Sequence, residues 1–176
     1  MKILRNKYFS IIWTVLRVWL GYQWIEAGIE KITNPQWVGS QAGVGITGFL
    51  KGAVGKATGA HPSVQGWYAS FIQNVALPNA KVFSYLVAFG EVLVGISLIA
   101  GLFTYVGLIA GGFMNLNYML AGTTSTNPIL YTVTFLLLIA GSAAYFIGLD
   151  HFVLPYIKNL FHKKTNKPIK IHGNKI

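Results

Sequence analysis

Apolar residues gather in four long stretches along the chain, separated by one long glycine-rich interval and two short breaks. The first stretch, residues 11–32, reads IIWTVLRVWLGYQWIEAGIEKI. It is apolar enough to span a bilayer, yet it holds Arg17 inside it and Glu26, Glu30 and Lys31 toward its far end. At ~100° per residue, Trp13, Arg17, Gly21, Trp24, Gly28 and Lys31 share one face, with Glu26 and Glu30 nearly opposite. An ionisable side chain in such a run is costly and needs a partner, so it points to function by default. Two glycines on the same face let another helix approach closely, and the indoles of Trp13 and Trp24 can flank a flat ligand.

The pattern stops at Thr33-Asn34-Pro35, because proline disfavours helix at the residue before it. Residues 33–79 then form a connection far longer than the usual ~4–6 residues. Glycines and small residues lead to His61-Pro62 and to an amphipathic segment, SVQGWYASFIQNVALP, whose Trp67, Tyr68 and Phe71 suit a membrane interface. This insertion reads equally as a lid over a site or as a loop sealing the helices. A second helix is expected over 81–103, with Ser84, Val87, Glu91, Gly95 and Leu98 on one face. A third follows over 105–120, with Gly111, Asn115 and Met119 aligned. A fourth covers 128–146, opened by Pro128. A short surface helix is expected over 150–161, and residues 162–176 read as a basic disordered tail.

Composition agrees with this pattern. Hydrophobic residues make up 53% of the 176 and charged residues only 10%, well below the ~25% of a soluble domain. The expectation is an all-α membrane protein. One domain, residues 1–161, holds a four-transmembrane-helix bundle with a long extracytoplasmic loop between its first and second helices and a basic cytoplasmic tail behind it. The opening MKILRNK imitates a secretory signal, but Arg17 and the lack of a small-residue cleavage site favour an uncleaved first helix.

The formal charge of +10 is concentrated at the two ends. Basic ends stay on the cytoplasmic side, which puts both termini inside and the 33–79 insertion outside. The same tail suits anionic lipid headgroups, and no nucleic-acid motif accompanies it. With no cysteine, thiol chemistry, disulfides and thiolate-held metals are excluded from this chain. No haem, flavin or metal motif is legible, and no histidine falls in a helix core to ligate haem.

At ~1.5 Å per residue, Arg17 lies about 10 Å from the inner end of the first helix and Glu91 about 15 Å from the outer end of the second. Asn115 is about 15 Å into the third, so the three side chains overlap in depth. Arg17 and Glu91 are therefore the expected ion pair, with Asn115 taking remaining hydrogen bonds. The pair reads as evenly as a register-fixing contact as it does as a ligand site. Glu26 and Glu30 read first as solvated helix-end residues, and Trp13 and Trp24 first as packing.

Taken together, RVWLGYQWIEAGIEKI, GEVLVGISLIAGLFT and NLNYMLAGTTSTNP resemble the DoxX family of small four-helix membrane proteins, with a long first loop like that of its DoxD-like branch. The matching residues are Arg17, Gly21, Gly28, Lys31, Glu91, Gly95 and Asn115, within residues 11–155. The resemblance implies a bacterial plasma-membrane protein related to a subunit of thiosulfate:quinone oxidoreductase. Its activity would pass electrons from thiosulfate or another small reductant to a membrane quinone, menaquinone or ubiquinone.

A quinone site needs donors to the ring carbonyls, aromatic walls and a protonatable group. On this reading Arg17, Glu91 and Asn115 are the catalytic candidates, and Trp13, Trp24, Lys31 and Trp67 the quinone-binding ones. Electrons would come from a bound reductant or a second redox subunit. Two other functions stay open. One is a non-enzymatic scaffold or assembly partner of a redox or envelope complex, alone or as a homo-oligomer. The other is a small anion transporter, for which four helices without repeats are a poor basis.

Orientation is testable directly. With Asn174→Cys, an impermeant thiol reagent should label the protein only after cells are opened, whereas Ser40→Cys should react in intact cells. The reverse pattern would relocate the insertion to the cytoplasm.

Overall fold

The computed structural model describes residues 9–165, and among these every regular element is a helix. In chain order they are α1 (Ser10–Ile32), α2 (Val44–Gly55), α3 (Gly66–Phe71), which runs into a π turn (Ile72–Ala76), α4 (Ala80–Ala100), α5 (Thr104–Leu120), α6 (Asn127–Ala140), α7 (Ser142–Tyr145) and α8 (Asp150–Thr165). The four longer bundle helices close into a ring: α1 packs on α4, α4 on α5, α5 on α6 and α6 on α1.

The α1–α4 seam is the most extensive contact in the molecule. Small residues make it possible. A Cβ on Gly95 would lie 2.8 Å from the Gly21 carbonyl oxygen, and one on Gly28 would lie 2.8 Å from the Val92 nitrogen. The two backbones touch where side chains would hold them apart, which is how membrane helices gain van der Waals contact. The inward stripe of α1 is as the sequence predicts: Trp13, Arg17, Gly21, Trp24 and Gly28 are buried, and Glu26 and Glu30 are exposed.

The outer faces carry large apolar side chains without cover. Val15, Tyr22 and Ile29 on α1, Val82, Leu86 and Leu93 on α4, and Val106, Ile109 and Phe113 on α5 are all at least half exposed. A water-soluble monomer rarely shows so continuous an apolar surface. One helix among the described residues, α4, is long and apolar enough to cross a membrane by itself. Its companion α1 is longer but carries four charges, and α5 and α6 have only 17 and 14 residues.

Several boundaries differ from the sequence expectation. Helix α4 stops at Ala100 rather than near residue 103, because Gly101 takes a left-handed φ of 63° as its C-cap. The fourth bundle helix does not run unbroken to residue 146. It ends at Ala140, where Gly141 turns the chain (φ 58°, ψ −126°) into the short α7. Residues 162–165, expected to be disordered, continue α8. The rest of the basic tail, and Lys2, Arg5 and Lys7, lie outside the described residues.

The insertion is a packed unit. Ile46, Leu50 and Ala53 of α2 meet Tyr68, Ala69, Ile72 and Ala76 in a core of their own, which rests on Ala121 at the end of α5. Helix α2 was hidden by its glycines, although Ile46, Leu50 and Ala53 recur at helical spacing. Tyr68, expected at an interface, is buried. Its hydroxyl donates to the carbonyl oxygen and Oδ1 of Asn117 at 3.1 and 3.0 Å, and burial pushes its phenol up from the ordinary range.

The glycine seam yields a stability prediction. Gly95→Leu should separate α1 from α4 and lower the detergent-solubilised yield and melting temperature sharply, a cost of at least ~1–3 kcal/mol for overpacking. Gly48→Ala, where an added Cβ meets nothing within 4 Å, should be neutral or stabilising by up to ~1 kcal/mol. Equal melting temperatures for the two variants would contradict the close crossing.

Candidate functional site

Two clusters of charged side chains lie at different levels along α1, one around Arg17 and one around Lys31. Arg17 belongs to the lower one. Its Nη1 donates to the Ala144 carbonyl oxygen at 2.9 Å and its Nη2 to that of Ile147 at 2.7 Å. Gly101 and Gly148 pack directly against the guanidinium, and a Cβ on Gly101 would sit 2.6 Å from Nη1. Asp150, which attracts Arg17 electrostatically, caps α5 by accepting from the backbone N–H groups of Phe103 and Thr104 at 2.7 and 2.8 Å. Those are orphan donors at a helix start. Arg17 therefore fastens α1 to the turns after α4 and α7.

The expected Arg17–Glu91 pair does not form. The α1–α4 seam sets Gly28 against Glu91 and Val92, and Arg17 against Gly101. Eleven residues along α1 separate these levels, about 16 Å. The depth estimate failed because α1 begins roughly two turns below the end of α4, so the two inner helix ends are not level.

Glu91 instead pairs with Lys31. Nζ of Lys31 lies 2.8 Å from Oε2, and Tyr118 donates its hydroxyl to Oε1 at 2.7 Å. Lys31 also donates to the Ala27 carbonyl oxygen at 3.2 Å and lies 5.3 Å from the centre of the Trp37 ring. Glu91 is 2% exposed and Lys31 19%. The carboxylate is thus held inside the bundle while the ammonium faces open space.

That space is a cavity of about 680 Å³. Lys31, Glu91 and Tyr118 supply its polar wall, beside Trp24, Trp37 and Phe49. Ile46, Leu50, Tyr68 and Ile72 of the insertion roof it, and Asn127 and Leu130 of α6 complete one side. The insertion therefore covers the cavity, as the lid reading expects. The π turn lies against it, and such turns concentrate at functional sites.

The candidate residues divide accordingly. Glu91, Lys31 and Trp24 meet at the cavity, whereas Arg17 does not line it. Asn115 is fully buried behind the wall and donates to Oδ1 of Asn127 at 3.2 Å, joining α5 to the start of α6. Trp13 packs in the lower core with Leu20, Leu98 and Leu137. Trp67 is 63% exposed and stands edge-on to Tyr68, outside the cavity. Tyr118 was missed, although it lies three residues beyond Asn115 and seven beyond Gly111, on the same helix face. Trp37 and Phe49 gave no comparable signal, because their positions depend on the fold of the insertion.

The family model for DoxX matches residues 12–123. The chain belongs to the DoxX family. The matched segment runs through α1 to α5 and contains Arg17, Lys31, Glu91, Asn115 and Tyr118, so the polar wall of the cavity lies within the DoxX region. Helices α6 to α8 lie beyond it, and with them the two carbonyls that hold Arg17, those of Ala144 in α7 and of Ile147 in the turn that follows. No curated protein and no solved structure matches this DoxX protein.

The revised pairing has a thermodynamic signature. Lys31→Met should cost on the order of 3–5 kcal/mol by stranding the buried Glu91 carboxylate. Glu91→Leu should cost less because the partly exposed Lys31 ammonium faces the open cavity, and the double variant should recover much of the first loss. Arg17→Leu with Glu91→Leu should be additive within ~0.5 kcal/mol, as for distant sites. Coupling between Arg17 and Glu91 in chemical or thermal unfolding would overturn the assignment.

Proposed function

We propose that this DoxX-family membrane protein binds the headgroup of a membrane quinone in the cavity beneath the insertion and serves as the membrane subunit of a quinone-linked oxidoreductase. On this reading the four bundle helices traverse the bilayer, both termini are cytoplasmic, and the insertion caps the cavity on the outer side. The observation that carries the proposal is the Lys31–Glu91–Tyr118 cluster, three polar groups converging in the wall of a largely apolar cavity. Small-ligand sites are usually built this way, within ~300–1,000 Å³.

The residues present fit a quinone ring. Lys31 has three N–H donors, of which Glu91 and Ala27 take two. The third is available to a ring carbonyl oxygen. Phe49 and Tyr118, whose ring centres are 6.2 Å apart, and Trp37 supply aromatic walls. A quinone, when bound, supplies coupled two-electron and two-proton redox chemistry. Glu91 and Tyr118 are hydrogen-bonded to each other and can hold or pass a proton next to the ligand. Electrons would reach the site from a second redox subunit.

Charge bears on the other readings. The chain has four carboxylate side chains, and three of them, Glu26, Glu30 and Glu91, line this cavity. Glu91 is neutralised by Lys31, which leaves the entrance acidic. An acidic mouth repels anions. That disfavours both direct entry of thiosulfate and an anion-transport role, so the DoxD-like thiosulfate activity gains no support from this site. The scaffold reading is the outcome left if quinone fails to bind.

The test is quinone content after purification in mild detergent, with titration of menaquinone and ubiquinone into the stripped protein. Lys31→Gln should weaken binding about 10- to 100-fold, the loss of one charge-assisted hydrogen bond. Glu91→Gln should retain binding but slow quinone-dependent turnover in membranes. Trp67→Ala, outside the cavity, should change neither. Wild-type protein that neither carries nor binds quinone would replace this proposal with the scaffold reading.

A further inference from the structure

Exposed residues on two sides of the cavity differ in character, apolar on α4 and α5 and acidic on α1. A residue that both lines the cavity and stands largely exposed on the outside of the bundle marks a rim. Leu86 of α4 and Phe113 of α5 meet both conditions, at 62% and 67% exposure. The slot between α4 and α5 therefore opens onto the lipid-facing surface. Its lower edge is closed at Gly90, where an added Cβ would lie 3.3 Å from the Met114 sulfur. The acidic side is lined by Gln23, Glu26 and Glu30 of α1, toward α6.

We propose that the ligand is a long-tailed amphiphile whose hydrocarbon chain leaves through the α4–α5 slot into the bilayer, while its polar ring rests against Lys31. This rests on the quinone reading and adds to it an orientation and a requirement for the tail. Three observations converge on it. The slot is continuous with the uncovered apolar belt of α4 and α5, so a chain passing through it stays in hydrocarbon-like surroundings. The α1 side places two carboxylates in the path of any chain leaving there, a poor environment for hydrocarbon. The insertion covers the cavity with residues of its own packed core, Ile46, Leu50, Tyr68 and Ile72. A tail in the slot turns the ring toward the polar wall and leaves the acidic side free for water and protons.

The experiment uses the full chain in phospholipid vesicles and a ubiquinone analogue carrying a diazirine in the second isoprenoid unit of its tail. After irradiation, adducts removed by excess unlabelled ubiquinone should map to residues 82–90 and 109–117, with Leu86 and Phe113 foremost. Competed adducts on Gln23, Ala27 or Leu130 would overturn the slot and leave the quinone reading standing. Absence of any competed adduct would overturn both. As a second arm, Leu86→Trp with Phe113→Trp should weaken a decyl-tailed quinone by about tenfold through crowding of the slot. The tail-less benzoquinone of the same ring should bind with unchanged affinity. Equal weakening of both compounds, or of neither, would overturn the proposal.

Discussion

The Lys31–Glu91 ion pair at the cavity is positioned by the close contact of α1 with α4. Gly21, Gly28 and Gly95 let the two backbones meet, and that contact fixes how far one helix is displaced along the other. A shift of one turn, ~5.4 Å, would take Lys31 out of reach of Glu91. The glycines thus act on the site without touching it. The pair is made beside the most extensive helix contact in the molecule, where Glu91 of α4 lies against Gly28 of α1.

The two charged clusters solve different problems. Arg17 occupies a place where the chain breaks at Gly101 and Gly148, and broken helices leave carbonyls without partners. Its fork takes two of them, and Asp150 satisfies the N–H groups at the start of α5. Arg17 Nε and the Thr104 hydroxyl stay buried there without a hydrogen-bond partner, but Arg17 does not line the cavity. At the other end, Lys31 keeps one donor to spare and faces open volume. A charged pair in the wall of a cavity is the arrangement expected of a binding site; Lys31 and Glu91 line the cavity and Arg17 does not.

The insertion extends the bundle into a vessel. Four helices of this length, packed by glycines, leave little room between them. The cavity exists because α2 and α3 hold a second apolar core above the ends of α1, α4 and α5, and tie it down through Tyr68 to Asn117 and through Lys56 to the Gly122 carbonyl oxygen. A roof built this way covers the cavity on one side and leaves Leu86 and Phe113 exposed at its rim between α4 and α5.

Much of this was legible in the sequence. The helical class, the inward stripe of α1, the burial of Glu91 and Gly95 and the family itself follow from local periodicity and from motifs, because a helix face is decided by residues three and four apart. Both members of the cavity's ion pair, Lys31 and Glu91, were among the candidates. What the sequence did not contain was the partnership. Arg17 and Glu91 share the right faces of neighbouring helices, but facing residues meet only if their helices are in the right axial register. That register comes from three glycines packing against another backbone, a long-range contact with no local trace. The same holds for the fold of the insertion and for the cavity beneath it, which no single segment specifies. Side-chain direction was a property of each helix alone; distance along the bundle axis was decided only when the helices packed.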